Sequence, residues 1–237
     1  MKNTYIAVLI VIFVFIIFFR YMNPFIPKSS RESSMNQKTE IRYIPIGDSY
    51  TIGFGVSEEE RWPNILINNL RKKGVDIALI ENPAVTGYTV RDAIEFELPV
   101  IERLKPNFVT VLIGANDSFG FQDIEIFRKD LNELLNRLQS VISNPKRIVL
   151  ITLPDYSKSP AVINYDTVAL LNNIEKYNLV IKEEGGRRGF PVTDIFPVSQ
   201  TMTHKSDYIL DGLHPSGNGY VKWEKTILPV VFGVLKR

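Results

Sequence analysis

From residue 41 onward, short apolar runs alternate with stretches of helical periodicity, and this alternation restricts the fold more than any other feature of the chain. The runs predict strands over residues 41–46, 75–80, 108–113, 147–153 and 190–195. Between them the spacing predicts helices over 62–73, 90–104, 124–142 and 167–184, with a last one over 219–235. The third is the clearest, because Ile124, Phe127, Leu131, Leu134, Leu135, Leu138 and Val141 recur at intervals of three and four. Pro63 suits a first helical turn, whereas Pro99 should kink or split the second helix. Five strand–helix alternations imply an α/β fold, a parallel sheet with helices on both faces. Strands this apolar fit a sheet buried on both sides. In such sheets ligands gather in the loops beyond the carboxyl ends of the strands.

Four of those loops carry chemistry. They are Gly47-Asp48-Ser49 after the first predicted strand, the stretch 81–89 with Gly87 after the second, and Gly114-Ala115-Asn116-Asp117 after the third. The fourth, Asp211-Gly212-Leu213-His214, precedes the last helix. A serine hydroxyl becomes a good nucleophile only when a base takes its proton in the transition state, and histidine is the usual base. The base needs an acceptor on its other ring nitrogen, and the developing oxyanion needs donors already aimed at it. The chain has two histidines, His204 and His214, so the choice of base is narrow. Ser49 is the candidate nucleophile, His214 the base, and Asp211, three residues earlier, the orienting acid. The N–H groups of Ser49 and Gly87 and the side-chain amide of Asn116 are the candidate oxyanion donors.

These four blocks, in this order, resemble those of the SGNH (GDSL) hydrolase family, and the resemblance covers nearly all of 41–237. It implies a flavodoxin-like three-layer α/β/α sandwich with a five-stranded parallel sheet, and hydrolysis of esters, thioesters or O-acetyl groups. It also implies catalytic Ser49, Asp211 and His214, with Ser49, Gly87 and Asn116 in the oxyanion hole, and no metal or cofactor. Ala115 stands where many members have glycine, and Tyr50 where the commonest signature has leucine. Neither replaces a reacting group.

Each motif alone has a plainer reading. Gly-Asp-Ser is a common turn, Asn116-Asp117 a turn or cap, and Asp211-x-x-His214 a capping contact before Pro215. Their joint occurrence at the ends of successive strands favours the site. His204 fits no block and reads as a solvated loop residue. Glu58-Glu59-Glu60 reads as a solvated helix start, and residues 156–165 as a surface loop with a lesser option of shaping the substrate site. Around Ser49 there is no G-x-S-x-G elbow, and Gly53-Phe54-Gly55 lacks the third glycine of a dinucleotide loop. With no cysteine, disulfides, thiolate metal sites and Cys nucleophiles are excluded. The functional readings are a serine esterase or lipase, an O-acetyl esterase or acyltransferase acting on cell-envelope polysaccharide, and a membrane-tethered binding module without turnover.

The N-terminus differs from the rest. Residues 5–19 are an unbroken apolar run between Lys2 and Arg20. As a helix that run spans about 22 Å, short of a hydrocarbon core of about 30 Å unless Tyr21 and Met22 extend it. No small-x-small cleavage site follows, so residues 1–26 are expected to be an uncleaved signal anchor rather than a cleaved signal peptide. Residues 27–40 are expected to form a flexible linker, and 41–237 the hydrolase domain. A positive-inside count would keep the domain cytoplasmic. The basic tip before an apolar run resembles an export signal, so an extracellular domain is the expectation. Residues 1–40 hold five basic and two acidic residues, leaving 23 and 24 for the remainder. A near-neutral body lacks the positive field that nucleic acid requires. The expected partners are therefore an ester substrate, lipid or acylated envelope polymer, and the membrane.

Overall fold

The computed structural model describes residues 41–236, so the expected anchor and linker lie outside the described residues. Strand β1 (Ile41–Gly47) runs through the middle of the sheet, with every residue but Arg42 buried. Asp48 then caps a one-turn helix, α1 (Ser49–Ile52), by accepting the Tyr50 N–H. Helix α2 (Trp62–Lys72) buries Trp62, Pro63, Leu66, Ile67 and Leu70 on one face, with Pro63 in its first turn. The glutamates expected to open this helix instead form a separate 3-10 turn, Glu58–Glu60. Ser57 and Glu60 bond reciprocally across it, and Arg61 turns extended before α2 begins.

Strand β2 (Ile77–Leu79) is short and leads through a long loop to a helical segment in three parts. These are α3 (Val90–Asp92), a π turn (Ala93–Glu97) and α4 (Leu98–Leu104). The break expected at Pro99 is real, but its form is different. Proline has no N–H to give the carbonyl four residues back and crowds that carbonyl. The chain widens just before it, so that the Leu98 N–H bonds to Ala93, five residues back, and Pro99 opens α4.

Strand β3 (Phe108–Leu112) is buried throughout, and α5 (Ala115–Phe119) follows it directly. Helix α6 (Ile124–Val141) shows the expected stripe, burying Phe127, Leu131, Leu134, Leu135 and Leu138, and Asp123 caps it through the N–H groups of Glu125 and Ile126. Strand β4 (Ile148–Ile151) is buried, and α7 (Thr167–Arg188) continues four residues past its expected end, through Gly185 and Gly186. Strand β5 (Val192–Thr193) shrinks to two residues, and α8 (Phe196–Ser199) and α9 (Gly217–Leu235) complete the chain.

All strands are parallel in the order β2-β1-β3-β4-β5, the flavodoxin-like arrangement. Helices α2 and α9 pack together, and α6 packs against both α4 and α7. The strand order reverses beside β1, so the ends of β1 and β3 open a crevice at the sheet's carboxyl edge. Odd-numbered residues of β1 face β2, since the Tyr43 carbonyl accepts the Ile80 N–H and the Ile41 N–H bonds to Asp76. Because β2 ends at Leu79, residues 45 and 47 of β1 have no strand on that side. Pro45, which lacks an N–H, is therefore tolerated in a central strand.

Candidate active site

Asp48, Ser49 and Tyr50 leave the end of β1 under tight constraint. A Cβ on Gly47 would lie 2.1 Å from Thr51 Oγ1 and 2.5 Å from the Leu112 carbonyl, so only glycine fits. Ser49, 7% exposed, turns its hydroxyl toward a loop from the far end of the chain. That loop is closed by a bridge between Tyr208 and Pro215 and by the Ile209 N–H to the His214 carbonyl at 2.9 Å. It brings His214 Nε2 to 2.8 Å from Ser49 Oγ, and His214 Nδ1 to 2.6 Å from Asp211 Oδ2. Asp211 Oδ1 also accepts the N–H groups of Leu213 at 2.8 Å and His214 at 3.0 Å.

Partial burial works against the charge on Asp211, but its bonds from the His214 ring and from these two backbone groups outweigh that and hold the carboxyl below its ordinary value. An ionised acid on Nδ1 keeps the imidazole proton there and leaves the Nε2 lone pair facing Ser49. The ring is packed between Tyr50 and Phe54, with centroids at 5.5 and 5.0 Å. Such an arrangement can take the serine proton at Nε2 and return it to a leaving group.

Gly87 and Asn116 line the same cavity as Ser49 and His214. Gly87 adopts φ +88, and nothing lies within 4 Å of where its Cβ would be. Its glycine is required by the backbone conformation rather than by crowding. Among the described residues, neither the Ser49 nor the Gly87 N–H has an intramolecular acceptor. The Asn116 amide donates to the Tyr88 carbonyl at 2.9 Å and lies 3.4 Å from Asp48 Oδ2, so one of its N–H groups is weakly engaged. Every predicted site residue is thus brought to one place. His204 is not; it sits exposed at the head of the turn Lys205–Asp207.

One feature was only the lesser reading of the sequence, and another was not read from it. The cavity, about 220 Å³, is walled by Tyr50, Ala115, Phe119, Tyr156 and Leu213, so the segment 156–165, read first as a surface loop, supplies a wall through Tyr156, as the lesser option had it. The Tyr156 hydroxyl anchors it on Ser118 Oγ at 2.9 Å, and exposed Tyr165 packs on Phe119. Beside Ser49 in the chain is the buried carboxyl of Asp48, which interacts electrostatically with those of Glu97 and Asp117, also buried. Burial pushes Asp48 up to about 7 and Asp117 up to about 6, and holds Glu97 well above its ordinary value. Glu97 had a sequence signal: it falls on the apolar stripe of Val90, Ile94, Leu98 and Ile101.

Residues 46–222 match the family model of GDSL-like lipases and acylhydrolases. An arylesterase of Vibrio mimicus is 22% identical over 183 residues, 77% of this chain and 84% of that protein. Among solved structures, a lipase/acylhydrolase from Enterococcus faecalis superposes with a TM-score of 0.66 at 22% identity, over 81% of this chain and 96% of that one. The acetylxylan esterase Axe2 from Geobacillus stearothermophilus superposes at 0.65 and 17% identity, over 81% and 94%. At these identities the structural likeness establishes the fold.

Proposed function

Because the chain belongs to the GDSL-like lipase/acylhydrolase family and is an ester-cleaving hydrolase, we propose that it works through an acyl-enzyme on Ser49. His214 Nε2 removes the Ser49 proton as Oγ attacks the ester carbonyl, and returns it to the departing alkoxide. Water then attacks the acyl-enzyme, giving its proton to the same nitrogen, and Ser49 leaves reprotonated as the acid is released. Asp211 stabilises the imidazolium formed in each half. The N–H groups of Ser49 and Gly87 and the Asn116 amide receive the oxyanion, each donor being worth about 3–4 kcal/mol. The observation that carries this reading is the bonded chain from Ser49 through His214 to Asp211.

The substrate favoured is a carboxylic ester with an apolar acyl or aryl group. Aromatic and aliphatic walls bury such a group favourably but offer few partners to a sugar. Phe54, Phe121, Ile163 and Leu210, all exposed and in segments flanking the site, extend the apolar character outward. Residues 1–26 would tether the domain to a membrane with the site outside, a proposal that rests on the apolar run 5–19. Among the described residues, no helix is long and apolar enough to cross a membrane.

The test is to label the full chain with a fluorophosphonate, then assay p-nitrophenyl acetate, butyrate and longer esters. One adduct on Ser49, with turnover that rises beyond acetate, supports the proposal. An adduct with turnover only on acetylated polysaccharide would replace the substrate. No adduct on folded protein would refute the acyl-enzyme.

A further inference from the structure

Glu97 is fully buried at the end of the π turn, with no cation among its partners. A glutamate in such a place is costly unless its position serves something. One carboxyl oxygen, Oε2, accepts the Gly47 N–H at 3.0 Å, and the other has no partner. Gly47 ends β1, one peptide before Asp48 and two before Ser49. Its N–H points to the side from which β2 has withdrawn, so the sheet cannot satisfy it. Pro45 avoids the same problem by having no N–H; Gly47 cannot, and a buried N–H left alone would be costly. The glycine also has no side chain by which it could be held, because Thr51 and the Leu112 carbonyl occupy that space.

We infer that Glu97 is a positioning residue for the oxyanion hole, fixing through the Gly47 N–H the end of β1, from which the Asp48–Ser49 peptide and its N–H donor project. The inference deepens the acyl-enzyme reading and rests on it. An oxyanion donor is effective only if it already points where the charge develops, so a shift at the end of β1 that tilts the Asp48–Ser49 peptide weakens the transition state more than it weakens substrate binding. Burial holds the Glu97 carboxyl well above its ordinary value, with the Asp48 and Asp92 charges adding to the effect. The carbonyl oxygen of a carboxyl or of an amide can equally accept the Gly47 N–H. The π turn produced by Pro99 is the local device that delivers this side chain to β1.

The experiment compares Glu97→Gln, Glu97→Met and Glu97→Asp in the full chain. Fluorophosphonate titration counts competent sites, so that kcat is expressed per site, and a thermal melt sets an assay temperature well below every midpoint. Glu97→Gln, which retains a carbonyl acceptor of the same reach, is expected to keep kcat within about 3-fold. Glu97→Met should lower kcat at least 10-fold with KM changed less than 3-fold. Glu97→Asp, one methylene short of Gly47, should lower it at least 5-fold and decides the matter if the methionine variant does not fold. Wild-type kcat per site in Glu97→Met or Glu97→Asp overturns the inference. So does an equal loss in all three, which would mark a purely structural role. Ser49→Ala separates the two levels. If it keeps turnover, the acyl-enzyme reading and this inference fall together; if it is inactive while Glu97→Asp is unimpaired, this inference alone falls.

Discussion

Replacing Asn116 by alanine tests the proposed oxyanion hole most directly. The side-chain amide has two N–H groups. One is committed to the Tyr88 carbonyl at 2.9 Å, and the other faces Asp48 Oδ2 at 3.4 Å, too long to compete strongly with an oxyanion. Asn116→Ala therefore removes one charge-assisted donor from the transition state. Such a donor is worth about 3–4 kcal/mol, so kcat should fall roughly 100- to 1000-fold. The ground-state carbonyl carries little of that charge, and KM should change less than about 3-fold. Losing the bond to Tyr88 costs about 1 kcal/mol of stability, a shift of roughly 2–4 °C for a domain of this size. The assay is steady-state hydrolysis of p-nitrophenyl butyrate with site titration, beside a thermal melt. A kcat within 10-fold of wild type, in protein melting near the wild-type temperature, would refute the assignment of Asn116 as a donor. A loss carried by KM would make it a binding residue instead.

Three further outcomes are expected. Asp211→Asn should lower kcat by on the order of 10⁴-fold, because an amide on Nδ1 no longer enforces the tautomer that leaves Nε2 free, and the rate of fluorophosphonate labelling should fall with it; unimpaired labelling would remove Asp211 from the mechanism. Burial, assisted by the Asp117 charge, pushes Asp48 up to about 7 from 3.8, so between pH of about 4 and 7 the folded protein holds a proton that the unfolded chain has released. This contribution to stability is complete below about pH 4 and is lost as pH rises through about 7, by about 4 kcal/mol. Asp48→Asn should therefore flatten urea midpoints measured across that window, and parallel curves for mutant and wild type would contradict the assignment. Phe119→Ala, which opens a cavity wall also packed by Tyr156 and Tyr165, should raise KM for longer acyl esters several-fold and leave acetate nearly unchanged; an equal effect on both would place the acyl chain elsewhere.

The central elements were legible because the same residues carry the signal and the burial. Strand β3 is apolar at every position and buried at every position, and α6 buries the stripe its spacing announces. The outer strands were read too long. Strands β2 and β5 each pair with one neighbour, so their apolar residues continue past the last hydrogen-bonded pair and contact the core as loop. The proposed reacting groups were legible because few residue types can do that chemistry. With two histidines in the chain, only one had an acid three residues before it and a strand-end serine to serve.

What the sequence alone determined was the alternation, the order of the four loops and the choice of Ser49, Asp211, His214, Gly87 and Asn116 as the proposed site residues, all properties of short segments. Tertiary structure decided what depends on segments distant in the chain. His214 meets Ser49 across 165 positions only because the loop 208–215 folds back to the end of β1. Tyr156 becomes a cavity wall through a bond to Ser118, which no local pattern encodes. Glu97 follows the same rule: in the sequence it interrupts an apolar helix face, and in the fold it meets the one N–H of β1 that the early end of β2 leaves without a strand. Hydrogen-bond satisfaction in a buried interior is a property of the whole sheet, so the partner of a given donor is set by where neighbouring strands stop.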